Sequence, residues 1–256
     1  TVGVEWDQGR LRYGAAPGGN QAAGEFRAVG AKIKRVGDFV REFSNAAKRR
    51  EGKAVAFEEA GRLVSARESY MTASLLWAAG RWPIFETNDE LEHLEERMNH
   101  CYAKFIAHAP HPVEIVRIPF QGKELPAYLH LPRKPEPGET FPCVVNIPGM
   151  DSSKETGVNM YGDSYLERGI AVLSIDGPGQ AESVALGIYV TNSNHMDAAK
   201  TVVDWLEEHP EIDSSKLLVR GSSFGTYWGL QWAAALGDRI KGAAVSGVCH
   251  EPGCNT

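Results

Sequence analysis

Leu217-Leu218-Val219-Arg220-Gly221-Ser222-Ser223-Phe224-Gly225 is the stretch on which the fold turns. Four residues of β character run into G-x-S-x-G, and Thr226 to Ala234 reads as a helix immediately behind it. A serine at such a strand-to-helix bend sits in strained backbone, and small residues two before and two after it relieve the crowding. Its hydroxyl then stands above the sheet at a helix N-terminus, where partial positive charge favours a developing anion. The pentapeptide alone is a weak signal, because a tight turn with a structural serine has the same composition. The flanking strand and helix make it specific. Ser223 is the candidate nucleophile; the neighbouring Ser222 occupies the variable position of the motif.

Outward from the bend, residues 111–256 alternate short β-type runs with helices. Val113 to Pro119 alternates with period two, and Leu125 to Leu131 reads as its hairpin neighbour. Cys143-Val144-Val145-Asn146-Ile147 is almost wholly apolar, as a strand covered on both faces must be. A helix is expected around Tyr161 to Arg168, then a strand at Ala171 to Asp176, and a helix at Met196 to Glu208. The strand at Leu217 to Arg220, the helix at Phe224 to Leu236 and a strand at Ile240 to Ser246 complete the pattern. Such alternation predicts an α/β fold with a mainly parallel sheet flanked by helices.

Residues 1–110 have a different period and read as a separate helical domain. Apolar positions recur at helical spacing from Val55 to Ala79, ended by Gly80 and Pro83. A further helix follows Thr87-Asn88-Asp89-Glu90, where Thr87 and Glu90 stand at capping-box spacing. Residues 7–24, rich in Gly, Ala and Gln, are expected to be partly disordered. Lys48-Arg49-Arg50, flanked by Glu51 and Glu58, reads as a solvated helix end.

The chain of 256 residues is 43% hydrophobic and 23% charged, with a net charge of -6, the balance of an ordinary globular protein. That charge argues against a nucleic-acid partner, which calls for clustered Lys and Arg. No apolar run reaches the roughly 18 residues that span a bilayer, and Thr1 to Asp7 lacks the pattern of a signal peptide. Cys101, Cys143, Cys249 and Cys254 are scattered and read as reduced thiols, so a cytoplasmic location is expected, without membrane or metal.

Acyl transfer needs amides aimed at the oxyanion. One is the N–H of Phe224. The loop after the third strand, Pro148-Gly149-Met150-Asp151-Ser152-Ser153-Lys154-Glu155, supplies the other, assigned to Met150 with Asp151 as the alternate. The plainer reading of this loop is a Gly turn followed by a helix cap.

Three segments in order, Gly149 to Glu155, Ile175-Asp176-Gly177-Pro178-Gly179-Gln180-Ala181-Glu182, and Gly221 to Gly225, carry a more specific resemblance. From about Ala66 onward the chain resembles the 2,6-dihydroxypseudooxynicotine hydrolase branch of the α/β-hydrolases, which is itself similar to FrsA-like esterases and fungal polyketide-shortening hydrolases. The resemblance implies the α/β-hydrolase fold with residues 1–110 as a lid domain and 111–256 as the catalytic core. It implies hydrolysis of a small-molecule substrate without cofactor, often by a homodimer, at an ester or at a carbon–carbon bond beside a ketone. It gives Asp151 an assisting catalytic role, where the nicotine-degrading members carry glutamate. Thr226 replaces the second glycine that relatives usually carry after the bend.

In this fold the chain order is Ser, then Asp or Glu, then His. After Ser223 only Asp238, His250 and Glu251 remain, none where the fold puts its acid or base. Both partners, with two more strands, are therefore expected beyond residue 256. Of the remaining histidines, His195 reads as an exposed helix cap, and His108 and His111 as surface residues. The competing class is a non-catalytic member of the same fold that binds a ligand or protein.

Overall fold

The computed structural model describes residues 14–84 and 86–247. The chain divides into two compact units, residues 1–110 with Asn159–Tyr161, and His111–Val158 with Gly162–Thr256.

The first unit is helical. Among the described residues it holds the helices α1 (Gly19–Gly30), α2 (Asp38–Glu59), α3 (Leu63–Gly80) and α4 (Asp89–Ala107). Of residues 7–24, expected to be partly disordered, 7–13 lie outside the described residues, and the rest includes a 3-10 turn at Ala16–Gly18 and the first half of α1. Ala22, Phe26 and Val29 on one face of that helix are buried, which offsets its poor composition. The stretch expected as one helix from Val55 to Ala79 is two, because Gly61 turns the backbone to φ 70° between α2 and α3. α3 packs against both α2 and α4 and is buried nearly all round. Its small residues Ala66, Ser69, Ala73 and Ser74 allow that approach, and Ser74 donates to the Met98 carbonyl of α4 at 3.0 Å. Asn88, not Thr87, caps α4, with its side chain accepting from Leu91 N at 2.9 Å. Lys48-Arg49-Arg50 lies within α2 rather than at its end, and Arg50 is buried against Glu25.

The second unit is built on one six-stranded sheet in the order β1-β2-β4-β3-β5-β6. β1 (Val113–Phe120) and β2 (Lys123–His130) form the expected hairpin through the turn Gln121–Gly122. β2 pairs antiparallel with β4 (Ala171–Ile175). β3 (Phe141–Ile147), β4, β5 (Ile212–Ser222) and β6 (Gly242–Ser246) run parallel. The interior strands β3 and β4 are buried almost throughout, which is why their sequences are continuous apolar runs rather than alternating ones. Its helices among the described residues are α5 (Ala181–Ala185), α6 (Asn194–Glu208) and α7 (Phe224–Leu236). α6 and α7 bury Ala198, Val202, Val203, Leu206, Trp228 and Trp232 in one core with the sheet. The helix expected over Tyr161 to Arg168 is only a 3-10 turn at Leu166–Arg168, since Gly162 and Gly169 both sit at positive φ around it. Among the described residues no helix is long and apolar enough to cross a membrane.

The connections position the site. From β3 the chain moves to β4 on one side, then crosses back to β5 on the other side of β3. The carboxyl ends of β3 and β5 therefore flank the point where the winding reverses, the usual ligand crevice of an open α/β sheet.

Candidate active site

β5 ends at Ser222 and α7 begins at Phe224, so the whole change of direction falls on Ser223. It adopts φ 53°, ψ -124°, a conformation costly for a residue with a Cβ. Two backbone bonds brace it: Ser223 N donates to the Ser246 carbonyl at 2.8 Å, and Thr226 N to the Ser223 carbonyl at 2.9 Å. The flanking glycines are required by contact. A Cβ on Gly221 would lie 2.1 Å from the Gly225 carbonyl oxygen, and one on Gly225 would lie 2.3 Å from that of Ile147. Thr226 is buried and donates from Oγ1 to the Ser246 carbonyl at 2.8 Å, adding a second tie to β6.

Ser223 is exposed, and its hydroxyl is not spent on capping α7. The loop after β3 lies directly against it. A Cβ on Gly149 would come within 2.9 Å of Ser223 Cβ and 3.5 Å of its Oγ. The structure thus brings together Ser223, the adjoining Phe224 amide and the loop that carries Met150 and Asp151. Both of those side chains are exposed, Met150 to 69%. Phe224 is half-buried with its ring against Tyr227 and Trp228. Trp77 and Trp232 are fully buried core residues, and Trp228 is nearly so. His250, Glu251, Cys249 and Cys254 lie outside the described residues; Cys101 and Cys143 are free and buried, and burial pushes both thiols up to about 12.

Sequence reasoning missed a buried ionic cluster behind the loop. Lys154 Nζ lies 2.8 Å from Glu155, 2.7 Å from Glu182 and 3.3 Å from Asp176, and 5.0 Å over the Tyr128 ring. Arg117 adds a second cation on Glu182 at 2.6 Å. Burial pulls the Lys154 ammonium down, but the surrounding Glu155, Tyr128, Asp176 and Glu182 outweigh it and hold its pKa well above the ordinary lysine value. Burial likewise works against the Glu182 carboxylate, and Lys154 and Arg117 together keep it below its ordinary value. Asp176 accepts from the amides of Lys154 and Glu182, at 2.8 and 3.3 Å, and also belongs to the ion cluster. A lysine beside a glutamate looks solvent-exposed in a sequence, and nothing local signals that both are buried.

His195 departs from its expected place as an exposed cap. It lies in the first turn of α6, buried, with its ring stacked on Trp228 at 4.1 Å and accepting from Trp232 Nε1 at 3.4 Å. Burial drives its pKa down to about 3, so the imidazole is neutral at physiological pH. His111 and His130 pair with each other at 2.9 Å, and His108 bonds Glu58 at 2.8 Å.

A strand–serine–helix bend at the switch point of a mainly parallel sheet, with a glycine loop facing it, defines the α/β-hydrolase class. The solved structure of 2,6-dihydroxy-pseudo-oxynicotine hydrolase shares the fold with a TM-score of 0.69 at 24% identity, over 91% of this chain and 62% of that one. Residues 29–255 match the family model described as Esterase FrsA-like, and the chain belongs to that family. Esterase FrsA of Photobacterium profundum is 23% identical over 221 residues, 84% of this chain and 51% of the relative. The alpha/beta hydrolase ucsC of an Acremonium species is 29% identical over 242 residues, 86% of this chain and 49% of the relative. The chain spans about half the length of these curated relatives.

Proposed function

We propose that the protein is a serine hydrolase in which Ser223 attacks the carbonyl of a small-molecule substrate. The observation that carries this reading is the exposed Ser223 at φ 53°, free of any capping bond and set against Gly149. Strained backbone of this kind persists only where surrounding structure enforces it, and it concentrates at reactive sites.

In the proposed reaction Ser223 Oγ adds to the carbonyl carbon while a base accepts its proton. The Phe224 and Met150 amides receive the oxyanion. The tetrahedral adduct collapses by expelling an alcohol from an ester, or an enolate carbon from a diketone, which takes up the proton. Water then releases the acyl group from Ser223 by the same steps in reverse. The base is assigned to a histidine outside the described residues, because the buried His195 is engaged by Trp232 and stacked on Trp228. Asp151, exposed on the loop next to Gly149, is assigned to polarise the substrate or the attacking water.

Both leaving groups use the same nucleophile and oxyanion site, so the bond cleaved is decided by assay. Ser223→Ala in the full chain, measured on a p-nitrophenyl ester and on an aryl diketone, should lower turnover of the true substrate class by at least about a thousandfold. Undiminished turnover of both would remove Ser223 from the mechanism.

A further inference from the structure

The turn after β4 grips the oxyanion loop at both of its ends. At the near end Gln180 donates from Nε2 to the Pro148 carbonyl at 2.6 Å, while its Oε1 accepts from the Gly177 amide at 2.9 Å. At the far end Asp176 Oδ1 accepts from the Lys154 amide at 2.8 Å, and its Oδ2 lies 3.3 Å from Lys154 Nζ. Gln180 is 6% exposed and Asp176 fully buried, so these bonds face no competition from bulk water. Ala181, directly after Gln180, is held at φ 31°, a strained conformation for a residue with a side chain. The turn is thus braced on its own side as well. Residues 149–153, which include the Met150 amide, hang between the two anchors.

We propose that Gln180 and Asp176 are positioning residues for hydrolysis, clamping loop 148–154 so that the Met150 amide meets the oxyanion already oriented. The proposal rests on the reading of Ser223 as nucleophile. An oxyanion donor is effective because it need not reorganise as charge develops. A loop released at Pro148 must order itself at that moment, a cost that falls on the transition state and not on substrate binding. Gln180 is the better lever, since it is uncharged and lies outside the ion cluster that Asp176 shares.

The test uses Gln180→Ala, Gln180→Glu and Ser223→Ala in the full chain, with kcat, KM, thermal melting and the affinity of an aryl boronic acid. The boronate forms a tetrahedral adduct with the serine hydroxyl and so reports on the oxyanion site. Gln180→Ala should lose about ten- to a hundredfold in kcat and in boronate affinity together, with KM held within about twofold. In Gln180→Glu an ionised carboxylate repels the Pro148 carbonyl, whereas a protonated one donates to it. Its kcat relative to the unmodified protein should therefore rise as pH falls. An inactive Ser223→Ala beside a Gln180→Ala with unchanged kcat and boronate affinity would overturn the clamp and leave the nucleophile standing. A flat kcat ratio across pH in Gln180→Glu would overturn it too, and serves if Gln180→Ala fails to fold. Full activity in Ser223→Ala would overturn the nucleophile, and the clamp with it.

Discussion

At Gly225 the space for a side chain is closed by main chain, not by movable groups. The Ile147 and Pro148 carbonyl oxygens would lie 2.3 and 2.7 Å from a Cβ there. Backbone at the end of β3 cannot yield without shifting the Gly149 loop, so Gly225→Ala should damage both stability and the site. The expected cost is at least about 3 kcal/mol, read by urea unfolding, with activity falling further than the folded fraction. A variant as stable and active as the parent would show that the bend tolerates a side chain, and the contact argument would fail. Thr226 shows the opposite case, in which a buried side chain beside the bend is accommodated because its hydroxyl finds the Ser246 carbonyl.

Among the elements, α2 offers a paired comparison that isolates backbone conformation from packing. Gly52 within α2 and Gly61 just beyond it both have open space where a Cβ would stand. Gly52 is helical, so Gly52→Ala should stabilise by about 1 kcal/mol through propensity alone. Gly61 sits at φ 70°, so Gly61→Ala should destabilise by about 1 kcal/mol or slightly more. Melting temperatures that move in the same direction for both would contradict the assignment of the α2–α3 break to Gly61. The same break explains why apolar periodicity alone joined the two helices. The apolar residues on either side of it, Val55, Leu63 and Val64, are exposed, so their spacing matched a helix without marking a buried face.

For the molecule as a whole, the ion cluster behind the site ties stability to pH. Removing the cation in Lys154→Met leaves Glu155, Asp176 and Glu182 buried together, which should cost about 3–5 kcal/mol at neutral pH. The folded Glu182 carboxylate lies below its ordinary value, so it contributes stability above that value and loses it as pH falls through the folded one. In Lys154→Met Glu182 keeps Arg117 but loses the cation that does most to hold its pKa down, so it protonates at a higher pH than in the parent, which relieves the strain of the variant. The stability gap to the parent should therefore narrow as pH falls towards the carboxylate range, as denaturant unfolding at several pH values would reveal. A gap that widens in acid would mean that Lys154 is not the charge balancing this cluster.

The alternation of strands and helices, the hairpin and the strand–serine–helix bend were legible in the amino-acid sequence, because each rests on interactions between near neighbours. Period, turn residues and the small glycines around Ser223 are local constraints that any structure must obey. The sequence also marked Gly149 to Glu155 and the Asp176-Gly177-Pro178-Gly179-Gln180 turn as distinctive, without showing that the second holds the first. That link joins residues far apart in the chain, and only the order of β3, β4 and β5 brings them together. Burial was decided at the same level. Lys154 and His195 carry side chains that favour water, and both became interior only when the sheet and α6 closed around them. Desolvation and partner charges are properties of the folded surroundings, so the chemistry of these two groups could be read only from the tertiary structure.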